Sequence, residues 1–206
     1  AEDGIRDYKV TGVQTCALPI FSLGRDHILD YANGYDHILF VLALCSVYVI
    51  RDWKKILILV TAFTIGHSIT LALATMQLIS ADSGLIELLI PITILITAVN
   101  NLFKKVEVVA PVAIQINYVF ALFFGLIHGM GFSNYLRAIL GKDHSIITQL
   151  LAFNLGLEFG QIIVVVLFLI FTYILVDWAK VARRDWNLIL SSAIAGIAII
   201  LIKDRL

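Results

Sequence analysis

Sulfur-containing residues and net charge are scarce in this 206-residue sequence. Its 15 Lys and Arg balance 15 Asp and Glu, so no basic surface for nucleic acid is predicted. The two cysteines, Cys16 and Cys45, form no CxxC pair, which argues against a disulfide framework and against a thiolate metal site. Only two methionines are present. A soft copper(I) site is therefore not predicted either.

Apolar residues dominate the chain instead. They make up 60% of it and give a mean hydropathy of +0.95, whereas soluble domains are about 45–50% apolar. About 20 mostly apolar residues span a bilayer as a helix. The sequence therefore predicts an all-α membrane protein, a polytopic bundle of about six transmembrane helices. The predicted spans are 35–50, 56–79, 85–103, 113–140, 146–176 and 188–202.

The first twenty residues differ in character from the rest of the chain. The stretch VTGVQTCALPI, at 10–20, has neither a helical nor a strand period, and it can be back-translated into a common short-read sequencing adapter. We therefore interpret residues 1–20 as an artefactual N-terminal extension and residues 21–206 as a single transmembrane helical domain. This interpretation predicts that residues 1–20 make no packed contact with the bundle.

Positive charge is distributed unevenly between the two sides of the predicted bundle. Cytoplasmic loops of membrane proteins carry an excess of Lys and Arg. The first, third and fifth loops hold eight such residues, against five on the opposite side. We therefore expect these three loops to be cytoplasmic and both termini to lie on the outer side of a bacterial inner membrane. The eight residues are Arg51, Lys54, Lys55, Lys104, Lys105, Lys180, Arg183 and Arg184.

Ionisable side chains inside the apolar segments are the first candidates for function. Each costs at least about 2.5–3.5 kcal/mol near the centre of a spanning helix, so such residues are rare without a purpose. Imidazole and carboxylate together suit zinc, nickel, cobalt or iron. The candidates in or near the predicted spans are Asp36, His37, His67, Glu87, His128 and Glu158.

Spacing adds neutral polar residues to this set. Asn154, Glu158 and Gln161 follow an i, i+4, i+7 pattern that places them on one helical face, predicted to face inward. Ser68 belongs to a polar band in FTIGHSIT. Two readings stay open: His128, Asn154 and Gln161 can instead form hydrogen bonds between helices. Glu87 can instead lie near a membrane interface.

Four stretches carry a resemblance to a known family: HILDYANGYDHILFVLAL, VTAFTIGHSITLALA, FGLIHGMGF and FNLGLEFGQ. In these, from residue 24 to about residue 170, the chain resembles the HupE/UreJ family of hydrogenase and urease accessory membrane proteins, described as nickel permeases. FTIGHS is also similar to a motif of the broader nickel/cobalt transporter group. That group's His-x4-Asp-His motif is matched only loosely, because eight residues separate His27 from Asp36.

The residues and the resemblance together predict an uptake permease for a divalent transition metal, nickel first, with cobalt or zinc as alternatives. His37 and His67 are the expected first ligands, and Asp36 is expected either to bind the metal or to fix an imidazole tautomer. His27, in a predicted interfacial or re-entrant helix over the site, is expected to bind the metal near the outer face. His128 and Glu158 would follow deeper in the bundle.

The remaining expectations concern residues around the metal and the partners of the protein. Ser68, Asn154, Gln161 and Glu87 are expected to support the ligands, and His144 is expected to be a solvated loop residue. No GxxxxGK[ST] motif is present, so gradients or a partner protein would drive uptake. The expected partners are the metal ion, the lipid bilayer and a metalloenzyme maturation system.

Two other functions remain open at this stage. One is an intramembrane zinc hydrolase, in which three histidines bind zinc and Glu158 acts as general base. The other is a metalloprotein assembly factor that transports nothing.

Overall fold

Helices are the only regular secondary structure in the part of the chain that the computed structural model describes, residues 17–30, 35–104, 111–140 and 146–206. The predicted all-α class is confirmed. The eight α-helices are α1 (Ala17–Leu29), α2 (Tyr35–Cys45), α3 (Trp53–Thr75), α4 (Ser83–Leu102), α5 (Pro111–Gly131), α6 (Ser133–Leu140), α7 (Ile146–Thr172) and α8 (Arg183–Asp204). A 3₁₀ turn, Ile50–Asp52, precedes α3, and a π-helical turn, Tyr173–Trp178, extends α7.

Four of the helical stretches in the described residues are long and apolar enough to cross a membrane. They are Ile50–Thr75, Ser83–Leu102, Ile146–Trp178 and Arg183–Asp204. Two shorter apolar helices, Tyr35–Cys45 and Asn117–Gly131, correspond to the first and fourth predicted spans. Length, composition and the apolar surface together support a membrane protein.

The predicted fourth span, 113–140, is wrong in its length. The helix ends at Gly131, and the separate helix α6 begins at Ser133. The Ser133 hydroxyl donates a hydrogen bond to the carbonyl oxygen of Met130 at 2.8 Å. The helix ends at a glycine, which has a low helix propensity and therefore favours a break at this point.

Two helix pairs pack so closely that glycine is required between them. In the pair α3 and α5, a Cβ on Gly125 would collide with the carbonyl oxygen of Phe63. In the pair α1 and α7, a Cβ on Gly156 would collide with the carbonyl oxygen of Phe21. Small residues permit such close approach between membrane helices. These two pairs form the rigid framework of the bundle.

The remaining helices pack around α2, which is short but largely buried. Phe40 of α2 is fully buried and stacks on Phe63 of α3, with ring centroids 4.9 Å apart. Helix α4 contacts α2 on one side and α8 on another. Helix α4 begins where the side chain of Asp82 accepts a hydrogen bond from the N–H of Leu85, an N-cap that satisfies one of the free donors. The first turn of α2 lies beside the middle of α3, where the ring centroids of His37 and His67 are 6.2 Å apart.

The N-terminal helix starts inside the segment interpreted as an extension. Helix α1 begins at Ala17, and Ile20 is buried in the core whereas Leu18 is exposed. The burial of Ile20 differs from the expectation that residues 1–20 make no packed contact. Residues 1–16, which include Cys16, lie outside the described part of the chain. The boundary at residue 20 therefore stays a prediction.

Candidate metal centre

Three imidazole rings from three different helices meet near one end of the bundle. His27 lies in the last turn of α1, His37 in the first turn of α2 and His67 in the middle of α3. The ring centroid of His37 lies 4.5 Å from that of His27 and 6.2 Å from that of His67. The centroids of His27 and His67 are 6.5 Å apart. The structure thus brings together three of the predicted ligands.

The ligand nitrogens of these rings are close enough to share one ion. One nitrogen from each ring lies within 4.8 Å of the others. Imidazole nitrogens bind a metal such as zinc at about 2.0–2.1 Å, so two of them on one ion are separated by at most about 4.2 Å. A small inward movement of the rings would therefore let a single ion bind all three.

Buried imidazole nitrogens without a protein partner distinguish this region. In the described structure no hydrogen bond of good geometry reaches Nε2 of His27, Nε2 of His37, either ring nitrogen of His67, or Nδ1 of His128, although the side chain of Asn154 approaches the ring of His67. Leaving a buried polar atom unpaired costs about 1–3 kcal/mol, and native proteins normally avoid it. Five such atoms in one neighbourhood indicate that the region is built to hold a ligand that accepts nitrogen lone pairs.

The carboxylate of Asp36 orients the ring of His37. Its Oδ1 lies 2.8 Å from Nδ1 of His37 and also accepts a hydrogen bond from the backbone N–H of His37 at 2.8 Å. A proton on Nδ1 is stabilised by this contact, and the unpaired Nε2 is then free to bind a metal. Carboxylates commonly hold metal-binding histidines in this way.

His128 stands beside the three rings without joining their closest group. Its ring centroid is 5.3 Å from that of His37, and its Nε2 lies 3.2 Å from the hydroxyl of Thr93. The Thr93 hydroxyl also donates to the carbonyl oxygen of Ile90 at 2.7 Å. His128 is therefore positioned next to His37 but is anchored to α4.

The three predicted residues of α7 differ in what they contact. The Gln161 side-chain oxygen accepts a hydrogen bond from Thr64 at 2.9 Å, and a Glu158 carboxylate oxygen accepts one from Thr61 at 2.7 Å. Asn154 donates to the carbonyl oxygen of Leu150 at 2.8 Å. Gln161 and Asn154 are buried, and Glu158 is half-buried.

These contacts join α7 to α3 below the histidines. Thr64 and Thr61 lie about one and about two turns from His67 along α3. The two pairs Thr64–Gln161 and Thr61–Glu158 therefore form a short ladder that leads away from the cluster. Glu158 is placed on this ladder and makes no described contact with the three rings.

The side chains of Ser68 and Glu87 have their partners away from the three rings. The Ser68 hydroxyl donates to the Thr64 carbonyl oxygen of its own helix at 2.6 Å. Glu87 forms an ion pair with Arg205 at 2.8 Å, and its side chain is 58% exposed. This placement differs from a supporting role at the metal and fits the interfacial alternative, because Arg205 compensates its charge at the surface. His144 lies outside the described residues.

Sequence reasoning missed two side chains that shape the site. Phe132 packs on His27 with centroids 4.0 Å apart and on Phe153 with centroids 5.1 Å apart. Thr93 holds His128. Phenylalanine in an apolar segment looks like any lipid-facing residue, and threonine in a membrane helix usually bonds its own backbone. The only sequence signal was that Thr93 and Thr97 share one face of α4.

A surface cavity leads to the cluster. Its volume is about 720 Å³, and its lining includes His27, Phe132, Asp26, Asp30 and Tyr135. Asp26 is exposed and pairs with Arg25 at 2.8 Å. The cavity gives His27 contact with the surface, whereas His67 and His128 are buried behind it.

Comparison with known proteins gives one family. A family model described as HupE / UreJ protein matches residues 6–204. No curated protein and no solved structure matches the chain. Because the match covers nearly the whole sequence, the chain belongs to the HupE/UreJ family. The match begins within the segment 1–20 that was interpreted as an extension.

Proposed function

We propose that this HupE/UreJ protein is a permease that carries a divalent transition metal into the cell, with nickel as the first candidate and cobalt or zinc as alternatives. The observation that carries the proposal is the convergence of His27, His37 and His67, whose buried ligand nitrogens have no protein partner in the described structure. The family is associated with nickel and cobalt handling, which supports the same substrate class.

Imidazole ligands suit the proposed cargo. Nitrogen donors bind nickel, cobalt and zinc well, whereas magnesium and calcium prefer oxygen. Asp36 keeps Nε2 of His37 available by holding the opposite ring nitrogen. Three neutral ligands with one nearby carboxylate give a site that can release its ion, since fewer protein ligands hold a metal less permanently than a closed four-ligand site.

The proposed route begins at the cavity beside His27. An ion would exchange part of its water shell for His27, then bind His37 and His67. His128 lies next to His37 and offers the unpaired Nδ1 as a further ligand. The Thr64–Gln161 and Thr61–Glu158 contacts lie between α3 and α7, and we place the continuation of the route there.

The direction of movement follows from the proposed orientation. Among the described residues, the basic positions Arg51–Lys55, Lys104 and Lys180–Arg184 belong to the end of the bundle away from the histidine cavity. The positive-inside rule assigns that end to the cytoplasm of a bacterial inner membrane. The histidines then face the outer side, and both termini lie there. The ion would reach the cytoplasm for use by a metalloenzyme maturation system.

The alternative of a zinc hydrolase is less well supported by the contacts. It requires a carboxylate that can act as general base beside the metal. Glu158 instead accepts a hydrogen bond from Thr61, and Asp36 is engaged with His37. An assembly factor without transport has no specific contact in its favour.

The test is metal flux in proteoliposomes. Purified protein is reconstituted with a metal-sensitive dye inside, and nickel, cobalt or zinc is added outside. We expect flux with the unchanged protein and loss of most flux in His37→Ala. His144→Ala is the matched control, because the sequence predicts that His144 is a solvated loop residue and not a ligand. Stoichiometric tight zinc without flux would instead favour the hydrolase, and unchanged flux in His37→Ala would reject the site.

A further inference from the structure

A second cavity lies between α4 and α5 at the end of the bundle away from the histidines. Its volume is about 180 Å³, or about six waters at ~30 Å³ each. Leu59 and Phe124 form part of its apolar wall and are buried. Ile96 and Phe120 also line it and are 51% and 44% exposed. The cavity therefore opens sideways, through the surface that faces lipid.

Lys104 gives this apolar cavity a positive charge. Its ammonium donates to the side-chain oxygens of Asn101 at 3.1 Å and Asn117 at 2.9 Å. No carboxylate of the described residues lies within ion-pair distance of it, whereas Lys55 pairs with Asp52 at 2.7 Å. An ammonium has three N–H donors, so among the described residues one donor has no acceptor and no carboxylate balances the charge.

The surrounding amides hold the ammonium in a fixed position. Asn117 donates its NH₂ to the hydroxyl of Tyr48 at 3.0 Å. Asn101 donates to the carbonyl oxygen of Ala43 at 2.6 Å. Because both NH₂ groups are used elsewhere, both amide oxygens point at Lys104. The ammonium of Lys104 is therefore held in place by two amide oxygens, unlike that of a freely rotating surface lysine.

The location of the cavity restricts the class of ligand. Arg51 and Lys54 are exposed at the same end of the bundle, which the charge of the loops assigns to the cytoplasmic leaflet. Anionic lipids are concentrated there, and basic pockets between transmembrane helices on this side bind their head groups. An opening toward lipid and a buried positive charge are the two properties that an amphiphile with a negative head requires.

We propose that the cavity between α4 and α5 binds an anionic phospholipid, whose phosphate pairs with Lys104 and whose apolar part lies against Phe120 and Phe124. Burial lowers the pKa of the Lys104 side chain to about 8, so the ammonium form still predominates near neutral pH. The proposal does not depend on metal transport, because the cavity shares no residue with the histidine cluster.

The test compares lipids and variants in an uncharged detergent. Delipidated protein is mixed with short-chain phosphatidylglycerol, with phosphatidylcholine of the same chain length, or with inorganic phosphate. Thermal unfolding and native mass spectrometry report binding. We expect phosphatidylglycerol to raise the unfolding temperature more than the other two, and Lys104→Gln to weaken its binding about fivefold.

Two further variants separate charge from shape. Lys54→Gln is the matched control, because it removes a lysine at the same end that lies over the Trp53 ring and outside the cavity. It should bind phosphatidylglycerol normally. Ile96→Trp keeps Lys104 but narrows the lateral opening, so it should reduce lipid retention even if Lys104→Gln fails to fold.

Several outcomes would overturn the proposal. Equal binding of phosphatidylglycerol by Lys104→Gln and the unchanged protein would show that the charge is not used. Equal stabilisation by phosphatidylcholine would also show that the charge of Lys104 does not select the lipid. Stabilisation by inorganic phosphate alone, at matched concentration, would identify a free-anion site instead of a lipid site. Normal lipid retention by Ile96→Trp would exclude the lateral cavity.

Discussion

Buried polar groups are satisfied differently in the histidine cluster and in the network around Asn101. At the histidine end, five ring nitrogens of four histidines have no hydrogen-bond partner in the described structure. At the other end, Asn101 donates to the carbonyl oxygen of Ala43 at 2.6 Å and to the hydroxyl of Ser46 at 3.0 Å. Asn187 of α8 donates to the Asn101 carbonyl oxygen at 2.8 Å, and Ser191 bonds to Asn187 at 3.2 Å.

Polar groups that are paired inside the protein hold helices together, whereas buried groups without a partner are available to bind a ligand. The amide and hydroxyl network joins α2, α4 and α8, and its donors are used inside the protein. The imidazole nitrogens are buried at a cost that the protein alone does not recover. A buried polar residue is therefore evidence of function only when its hydrogen-bonding capacity remains unused.

The largest expected effect comes from removing an unpaired histidine. In His67→Leu we expect nickel affinity to fall more than about 100-fold, since even loss of an outer partner of a ligand costs about 10–100-fold. Thermal stability of the metal-free protein should not fall, because leucine of similar size removes two unpaired nitrogens. Calorimetric nickel titration and a thermal melt measure the two effects.

Two outcomes would contradict the prediction for His67→Leu. If His67→Leu binds nickel as tightly as the unchanged protein, the metal site is wrongly placed. If the metal-free variant unfolds at a much lower temperature, the imidazole of His67 has a structural role. The comparison with the Asn101 network would then not hold for His67.

The second prediction concerns a residue of the hydrogen-bonded network, Asn101. Asn101→Leu should lower the free energy of unfolding by about 1–3 kcal/mol, because it removes one hydrogen-bond partner each from Ala43, Ser46 and Lys104, and each interhelical hydrogen bond contributes about 0.6 kcal/mol on average. Nickel affinity of the folded protein should be unchanged. Denaturation in mixed detergent and nickel titration check this.

The neighbouring amide supplies the control for that change. Asn100→Leu alters an exposed residue of the same type and should cost little stability. Equal destabilisation by the two leucine variants would show that the network does not hold the helices together.

A smaller effect is expected from the residue that orients His37. Asp36→Asn should weaken nickel binding about tenfold, at the low end of the range for such partners, because an amide oxygen can still accept from Nδ1 of His37. Asp204→Asn, an exposed change at the end of α8, is the control. Nearly complete loss in Asp36→Asn would mean that Asp36 itself binds the metal, and no loss would exclude an orienting role.

The smallest expected effect concerns pH at the lysine end. The folded-state pKa of Lys104 is about 8, below its ordinary value of 10.5, because burial disfavours the charged form. Between these values the unfolded chain binds more protons, so this residue makes stability rise with pH. The rise is modest, since Lys104 is only half-buried. Melting curves across this window should show it, and Lys104→Gln should abolish it.

Nickel binding should also strengthen as pH rises, but in a lower pH range. A protonated imidazole has no lone pair for a metal, so affinity should fall on going from about pH 7.5 to about pH 5.5. The same titrations at the two pH values test this. Equal affinity at both values would argue that carboxylates, and not imidazoles, bind the ion.

The sequence predicted the fold class and the histidines for the same physical reason. Long apolar segments require membrane helices, and His37 and His67 are conspicuous because ionisable groups are expensive inside them. The structure places both of them in the cluster with His27. The ranking of these residues as metal ligands stays a prediction until binding is measured.

Sequence reasoning failed where partners decide the role of a residue. Asn101 and Asn187 were not singled out, because only the fold shows that they meet. Glu87 was predicted either to support the metal or to lie near an interface, and nothing in its surroundings along the chain reveals Arg205 at the far end of α8. The break at Phe132 was missed because the apolar composition continues through it. Each failure concerns contact between residues far apart in the chain.

The two glycine-packed helix pairs have a mechanical consequence. His67 belongs to the pair α3 and α5, where Gly129 packs against the His67 backbone, whereas His27 belongs to the pair α1 and α7. Backbones in such close contact cannot slide past each other without steric collision. An ion bound by both histidines would fix the two helix pairs relative to each other. Release of the ion would allow the pairs to move apart as rigid bodies.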